Sequence, residues 1–535
     1  MSIHSAFSFL LYTKEGKVLK QPITTANKRW IILGSLIIVI IILFTLFHNT
    51  VPSYNQQNES YSYRANYHFT VPQHWKNDPQ RPIYLNGKYY YYYLYNGDYP
   101  EGNGTEWRLA TSKDLVNWDD QGVAIPKYTN ENGDAWSGSV VIDHNNTAGL
   151  GENSLIALVT QPSTNGIQAQ YLWYSTDEGQ TFQSLQDEPV MANPNAEDFR
   201  DPKIIWDEVN KQWVLLMAEG AKVGFYVSTN LQDWQYTADF QTEDIGIVEC
   251  PDLFQLRADD GSMRWIMGVS ANGLDQGKPN TYAYWIGDFD GNQFIADHKD
   301  PKWLDYGFDW YGGVTFEDGE SDDYFSHRYA LAWMNNWAYA DQTPTQEEGF
   351  NGLDSIVRKI ELKKNHTNGY YLVSQPIQKL NQLINETIHY PEMTVDGTVT
   401  LDDNVDSYQL SADISWDEAK NIGLRLRESA NQERHIDVGF FPQDGYSYVN
   451  RTFTNQPDDT HTMTESTAPM DPLQKDAHIH ILVDKTSIEV FLDDGEIAYS
   501  NLVFPRPEDQ GISLFSEDGQ AVFKNVEIHK MDAIE

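Results

Sequence analysis

The segment RDPKIIWDEVNKQWVLLMA, residues 200–218, indicates the architecture because its pattern recurs along the chain. A small or acidic cluster runs directly into an apolar strand, a polar turn follows, and a second apolar strand returns. Comparable segments begin near residues 77, 138, 250 and 312. This period of about 50 to 60 residues is typical of architectures that repeat one supersecondary unit.

The repeat also contains a shared turn. SKDLVNW at residues 112–118 aligns position for position with STNLQDW at residues 228–234. Each follows an apolar or aromatic strand and ends on a bulky aromatic residue. A long β-sandwich would also be rich in strands, but it would not repeat one turn at a fixed phase. Four-stranded units at this spacing indicate a β-propeller, and five starts predict five blades over residues 64–375.

The repeat disappears from about residue 386 onward. Segments such as YQLSADISW and HIHILVDKTSIEVFLDD alternate apolar and polar residues at short spacing. This alternation predicts an antiparallel β-sandwich over residues 388–535, with one solvated face on each sheet. PIQKLNQLIN predicts a helical linker over residues 376–387. The fold class we expect is therefore all-β, a five-bladed propeller followed by a sandwich.

The N-terminal region has the pattern of a membrane anchor. Residues 30–47 form an apolar run without a charge, which is long enough to cross the hydrocarbon core of a bilayer. Lysines and an arginine precede it, at Lys14, Lys17, Lys20, Lys28 and Arg29. The positive-inside rule therefore predicts a cytoplasmic tail at 1–29, a transmembrane signal anchor at 30–48, a linker at 49–63 and an extracellular remainder. Cleavage of the segment as a signal peptide, followed by secretion, stays open as the alternative.

Composition limits the partners. The formal net charge of −41 argues against nucleic acid or an anionic surface and suits a neutral polymer. The chain has 16 Trp and 32 Tyr, which could serve as stacking platforms for sugars or could fill strand-rich cores. With Cys250 as the one cysteine, no internal disulfide can form.

Carboxylates recur at the starts of the blades. The first strand of each propeller blade lines the central channel, so Asp78, Asp201 and Glu249 should converge on one mouth with Arg200 beside them. Buried like charges repel, and at least one of these carboxyl groups should have a raised pKa. A protonated acid beside an ionised carboxylate is the equipment of glycoside hydrolysis. A lone Asp-Pro more often caps a strand, but three carboxylates in phase favour catalysis.

The motifs WKNDP, EWRLATSKDLVNW, WSGSVV, FRDPKIIW and ECPDLF resemble, in this order, those of glycoside hydrolase family 32, the β-fructosidases. VDKTSIEVFLDDG resembles the C-terminal signature of that family, so the resemblance extends over about residues 64–531. It implies that Asp78 is the nucleophile, Glu249 the general acid/base and Asp201 the transition-state stabiliser. It also implies a set of substrate-binding residues: Asn77, Trp107, Trp136, Ser137, Arg200 and Trp337.

No cofactor or metal is expected, because the histidines show no ligand spacing such as His-x-x-x-His. Cys250 follows the acid/base directly, and we expect a small packing residue with no covalent role.

Two departures from the family pattern bear on the substrate. The usual Asn-Gly after NDP is Gln80-Arg81, and Leu94 stands where a substrate-binding Gln is expected. WKNDPQ, YLYNGDYP and GFDWYGGVTFED resemble the branch of the family that attacks levan internally. The resemblance therefore implies a retaining hydrolase that cleaves β-2,6-fructosyl linkages of levan and releases levanbiose and short oligosaccharides. An exo-acting fructan β-fructosidase, a fructosyltransferase and a catalytically inactive fructan-binding receptor remain as alternatives.

Overall fold

The computed structural model describes residues 62–100, 104–128, 130–365, 369–401, 405–455 and 462–534. The predicted cytoplasmic tail at 1–29, the anchor at 30–48 and most of the linker at 49–63 lie outside these residues. Within the described ranges, no helix combines the length and the apolar character needed to cross a bilayer.

Five sheets, antiparallel except for one short strand in the first, form the first large region, one for each predicted blade. Blade 1 contains His74–Pro79, Ile83–Leu85, Lys88–Asn96, Glu106–Ser112 and Asp119–Ile125. Blade 2 contains Gly138–Asp143, Ser154–Pro162, Gln168–Ser175 and Gln183–Ser184. Blade 3 contains Arg200–Asp207, Gln212–Ala218, Lys222–Ser228 and Gln235–Gln241. Blade 4 contains Val248–Arg257, Met263–Ala271, Tyr282–Phe289, Phe294–Ala296 and Lys302–Trp303. Blade 5 contains Tyr311–Phe316, Arg328–Trp333, Arg358–Asn365 and Gly369–Pro376.

The strand starts lie within a few residues of the repeat starts predicted from the sequence, which confirms the five-bladed propeller. The ring is closed by a short strand, Phe350–Asn351, which pairs in parallel with the first strand of blade 1. This strand follows the segment that leaves blade 5, so residues 334–349 are brought beside blade 1.

The shared turn has one hydrogen-bonding scheme in its two copies. The Ser112 hydroxyl accepts from the backbone N–H of Leu115, and the Asp114 carboxylate accepts from Val116 and Asn117. In the other copy, Asn230 accepts from the backbone N–H groups two and three residues ahead. Side-chain acceptors of this kind replace the backbone partners that a turn leaves unmet.

The C-terminal region is a sandwich-like arrangement built around one long strand, Gly511–Met531. The other strands are Ile384–Tyr390, Met393–Leu401, Tyr408–Trp416, Asn421–Glu428, Ile436–Phe441, Tyr446–Asn450, Glu465–Pro469, Asp476–Val483, Ser487–Leu492 and Ile497–Leu502. The first half of the long strand pairs with Asn421–Glu428 and the second half with Tyr408–Trp416. The two halves meet at Gly519, where φ is +149° and a Cβ atom would lie 2.1 Å from the Glu418 carbonyl oxygen.

The predicted linker helix is shorter than expected. Only Gln378–Leu383 is helical, as a 3₁₀ helix, and the strand Ile384–Tyr390 begins inside the range that was predicted to be linker. The remaining 3₁₀ helices are Leu274–Gln276, Ala340–Gln342, Pro344–Glu348 and Asp493–Gly495.

Candidate active site

The first strands of blades 3, 4 and 5 contain an irregularity at the same position. The pairing register shifts after Arg200, after Glu249 and after Tyr311. The residues that follow, Asp201, Cys250 and Gly312, have φ values of +58°, +48° and +61°. Side chains normally alternate across a strand, and a bulge breaks this alternation. Two successive side chains can therefore face the channel mouth, and Arg200 and Asp201 both do.

An open cavity of about 850 Å³ lies at this mouth. Asp78, Asp201 and Glu249 all line it, so three carboxylates from three blades meet in one place. The other residues of the wall are Trp75, Asn77, Leu94, Asn96, Tyr99, Pro100, Gly104, Thr105, Trp136, Ser137, Gln168, Arg200, Trp337, Asp341 and Gln346. Tryptophans around a carboxylate cluster offer apolar faces to a ring that also needs polar contacts.

Asp78 lies deep in this cavity and is held from one side only. Its Oδ2 accepts a hydrogen bond of 2.7 Å from the hydroxyl of Ser137 and lies 3.7 Å from the thiol of Cys250. Its Oδ1 is buried and finds no hydrogen-bond partner among the described residues. Gly312 keeps the space beside Oδ1 clear, because a Cβ atom there would lie 3.1 Å from it. One carboxylate oxygen is thus anchored and the other is available for reaction.

Asp201 is linked to the same thiol. Its Oδ2 accepts a 3.0 Å hydrogen bond from the backbone N–H of Cys250 and lies 3.8 Å from the Cys250 Sγ. Cys250 is buried and contacts two of the three carboxylates. It acts here as a small spacer that separates Asp78 from Asp201, as expected of a packing residue.

Glu249 is bound by polar groups from three blades. The Arg200 guanidinium donates to Oε1 at 3.1 Å, while the Asn272 amide donates to Oε2 at 3.4 Å. The Tyr311 hydroxyl also donates to Oε2 and accepts from Asn272 at 2.6 Å. These contacts fix the carboxyl group without enclosing it.

Burial and mutual repulsion alter the acidity of the site. Burial, followed by the charge of Glu249, raises the pKa of Asp78 above its ordinary value. The same two causes raise the pKa of Asp201 to about 7, against the opposing effect of Arg200. The expectation of a raised carboxyl pKa is met, on the two aspartates. Groups coupled so closely exchange protons as a set.

The substrate-binding residues proposed from the sequence occupy two kinds of position. Asn77, Trp136, Ser137, Arg200 and Trp337 line the cavity, and Trp337 is 46% exposed.

Trp107 does not line the cavity, contrary to what the resemblance implies. It is fully buried and donates its indole N–H to the Trp136 carbonyl oxygen at 2.9 Å. It therefore supports the backbone of Trp136 and is not exposed in the cavity.

The two departures also differ in position. Leu94 is part of the cavity wall. Gln80 instead bridges blades 1 and 2, since its Oε1 accepts from the backbone N–H of Gly138 at 2.8 Å. Arg81 forms an ion pair with Glu317. Gln80 and Arg81 therefore belong to the scaffold, and only the change at Leu94 alters the pocket surface.

Tyr311 and Asn272 were not identified from the sequence, although both contact Glu249. A signal for Tyr311 was available. It stands in blade 5 at the position that Glu249 occupies in blade 4, directly before the positive-φ residue of the bulge. Asn272 follows the second strand of blade 4 and does not stand at a position that the repeat identifies. In the described ranges, no set of three or more His, Cys, Asp or Glu side chains is arranged to hold a metal ion.

Comparison with known families accounts for both regions. The profile of the glycosyl hydrolases family 32 N-terminal domain matches residues 68–376, and that of the family's C-terminal domain matches residues 379–530.

Individual proteins show the same relationship. The chain is 59% identical over 473 residues to a levanbiose-producing levanase of Bacillus subtilis, a match covering 88% of this chain and 92% of that protein. It is 60% identical over 395 residues to a levanbiose-producing levanase of Geobacillus stearothermophilus, covering 74% and 100%. Among solved structures, the exo-inulinase of Aspergillus awamori superposes with a TM-score of 0.79 at 27% identity, covering 89% of this chain and 99% of that one.

Proposed function

The chain belongs to glycosyl hydrolase family 32, and on that premise we propose that it cleaves β-2,6-fructosyl linkages within levan and releases levanbiose. The family makes it a glycosidase. The substrate is supported by the 59% and 60% identity to two levanbiose-producing levanases. The observation that carries the chemistry is the meeting of Asp78, Asp201 and Glu249 in one cavity walled by tryptophans.

In the first half of the proposed reaction, Asp78 is the nucleophile. Its Oδ1 has no competing hydrogen bond among the described residues and can attack the anomeric carbon C2 of the fructosyl unit. The bond from C2 to the leaving oxygen breaks, and Glu249 gives its proton to that oxygen. The product of this step is a fructosyl ester on Asp78.

In the second half, a water molecule attacks the same carbon. Glu249, now ionised, takes a proton from this water, and the ester bond to Asp78 breaks. Two displacements at C2 retain its configuration. Tyr311 and Asn272 hold the Glu249 carboxyl group in place through both steps, because each donates to Oε2.

Asp201 and Arg200 are assigned to the fructosyl hydroxyls. Both line the cavity beside the reacting groups, and a carboxylate with a guanidinium can accept from and donate to neighbouring hydroxyls. Such contacts stabilise the transition state when they tighten as the sugar ring flattens.

Internal attack is supported by the wall at Leu94. An exo-acting enzyme must satisfy the outer hydroxyls of a terminal fructose, and an apolar side chain there offers no hydrogen bond. A longer chain can recover this loss on aromatic surfaces of the cavity such as Trp136 and Trp337.

Chromatography of the earliest products from levan, inulin and sucrose tests the proposal. We expect levanbiose and short oligosaccharides from levan, with little action on the other two substrates. Free fructose as the dominant first product would identify an exo-acting enzyme. Transfer of fructose to added sugars in preference to water would identify a transferase, and no product from any of the three would favour a binding receptor.

We also propose that the catalytic region is held outside the cell by an N-terminal anchor. The support is the uncharged apolar run at residues 30–47 and the lysines that precede it. Protease added to intact cells should release an active fragment that begins near residues 50–63. Activity confined to the cytosol would contradict this localisation, whereas a secreted form lacking the first residues would indicate signal cleavage.

A further inference from the structure

The rim of the cavity is built on a segment that the propeller does not hold alone. Residues 334–349 leave blade 5 and supply Trp337, Asp341 and Gln346 to the cavity wall. The side chains of Trp337 and Asp341 are exposed, whereas Tyr339 between them is 1% exposed. Tyr339 is thus a buried anchor of the segment, with cavity-lining residues on either side of it.

The attachment point of Tyr339 is an arginine of the sandwich. The hydroxyl of Tyr339 donates to Asp309 Oδ1 at 2.5 Å and accepts from Arg451 Nη2 at 3.0 Å. Arg451 Nη1 donates to Asp309 Oδ2, also at 3.0 Å. Arg451 and Asp309 are both buried. A buried ion pair with every partner in place fixes geometry, because the loss of one member leaves a charge unpaired.

The sandwich contacts Asp309 a second time. The backbone N–H of Leu502 donates to Asp309 Oδ2 at 2.7 Å, and the Leu502 carbonyl oxygen accepts from Arg451 at 2.7 Å. Arg451 Nε donates to the carbonyl oxygen of Met463, so the guanidinium is itself held by sandwich backbone. The position of the rim segment is therefore tied to the C-terminal region.

We propose that the sandwich sets the position of the substrate-binding rim, with Arg451 as the positioning residue that acts through Tyr339 and Asp309. This inference rests on the proposed function for the identity of the polymer, but not for the contact itself. A sandwich with this role determines how firmly a fructan chain is bound and leaves the bond-breaking groups unchanged.

Arg451→Met tests the inference against a matched control, Arg427→Met. Arg427 is as buried as Arg451, but it donates to the backbone carbonyls of Asp509 and Asp406 within the sandwich. Both substitutions remove a buried guanidinium from the same region, and only one touches the rim. Tyr339→Phe serves as the gentler variant, because it removes the hydroxyl and leaves the Arg451–Asp309 ion pair intact.

Hydrogen–deuterium exchange of the peptide covering residues 334–349 is the first readout, and it requires no substrate. We expect faster exchange in Arg451→Met and Tyr339→Phe and unchanged exchange in Arg427→Met. Equal exchange in all three variants and the parent would overturn the inference, as would an equal rise in the control. If Arg451→Met does not fold, Tyr339→Phe decides.

Kinetics on levan provide the second readout. We expect KM to rise about three- to ten-fold in the two rim variants while kcat stays within about two-fold. A loss confined to kcat would overturn the positioning role. If the parent enzyme does not cleave levan, the proposed function fails, and the exchange experiment still decides the role of Arg451.

Discussion

The mouth of the propeller and the core of the sandwich are both built from β-strands, but the strands bury different kinds of side chain. In the sandwich, Leu410, Ile481, Val490 and Leu514 are fully buried members of one apolar cluster. At the propeller mouth, the alternation is broken by bulges, and Asp78 and Asp201 are buried instead. Burial of apolar side chains stabilises the regular region. In the irregular region, carboxyl groups are buried although water would solvate their charged form better.

This contrast shows where stability and chemistry reside. Burial raises the pKa of Asp78, which means that folding disfavours its charged form. A carboxyl group of this kind lowers stability at a pH above its unfolded pKa, and the cost disappears in acid. The fold tolerates this loss of stability at the mouth because burial in the large apolar cores elsewhere compensates for it. Substitutions at the two regions should therefore separate activity from stability.

The largest expected effect is at the nucleophile. Asp78→Asn should lower kcat by at least about 10⁴-fold, because an amide cannot form the glycosyl ester. The variant should also unfold at an equal or higher temperature at neutral pH, since the buried charge is gone, and this gain should vanish in acid. Steady-state kinetics and calorimetry at two pH values measure both.

Asp120→Asn is the control for that substitution. Asp120 lies on the outer strand of the same blade and pairs with Arg108 at the surface, so turnover should be retained. An active Asp78→Asn variant would remove Asp78 from the chemistry, and a lower melting temperature at neutral pH would contradict the cost assigned to its charge.

The next effect concerns the acid/base. Glu249→Ala should lower kcat on levan by about 10²- to 10⁴-fold. The loss should be smaller with an aryl fructoside, whose leaving group needs no proton, and added azide should accelerate turnover by replacing the base-activated water. Kinetics with and without azide measure this. If neither the leaving group nor azide changes the rate of the variant, Glu249 is not the acid/base.

The two regions also differ in how far the sequence predicts them. The blade starts could be predicted because each begins with a small or acidic cluster before an apolar strand, and Asp78, Asp201 and Glu249 share that phase. Trp107 could not be placed correctly, since a motif identifies a tryptophan but not which face of its strand it occupies. Asn272 carries no periodic signal, and its contact with Glu249 depends on the path of the chain after the second strand of blade 4, which no motif specifies.

In the sandwich, a core substitution should change stability alone. Leu514→Ala should lower the free energy of unfolding by about 2 to 5 kcal/mol, because a fully buried leucine leaves a cavity. Activity of the folded fraction should match that of the parent. Leu473→Ala is the matched control, since Leu473 is 83% exposed and should change stability by less than about 0.5 kcal/mol. Equal losses in both, measured by urea denaturation, would contradict the core assignment.

A smaller effect is expected on the pH profile. Ser137 donates to Asp78 and so favours its ionised form, which lowers its pKa against the effect of burial. Ser137→Ala removes that hydrogen bond, and the acid limb of kcat/KM should move to higher pH by about one unit. Ser139→Ala is the control, because the Ser139 hydroxyl instead accepts from the backbone N–H of Ile204. An unchanged acid limb in Ser137→Ala would show that this hydrogen bond does not tune the nucleophile.

The smallest effect tests the mode of attack at Leu94. Leu94→Gln restores an amide to the cavity wall, where it can bond the outer hydroxyls of a terminal fructose. One such bond is worth about 1 kcal/mol, so the ratio of free fructose to levanbiose among early products should rise about five-fold. Gln80→Asn also restores a residue of the family pattern, but it acts within the scaffold and should leave the ratio unchanged. The two substitutions together test whether a departure from the family motif changes the products only when the residue lines the cavity. An unchanged ratio in Leu94→Gln, or an equal shift in Gln80→Asn, would show that the wall at Leu94 does not determine where the chain is cut.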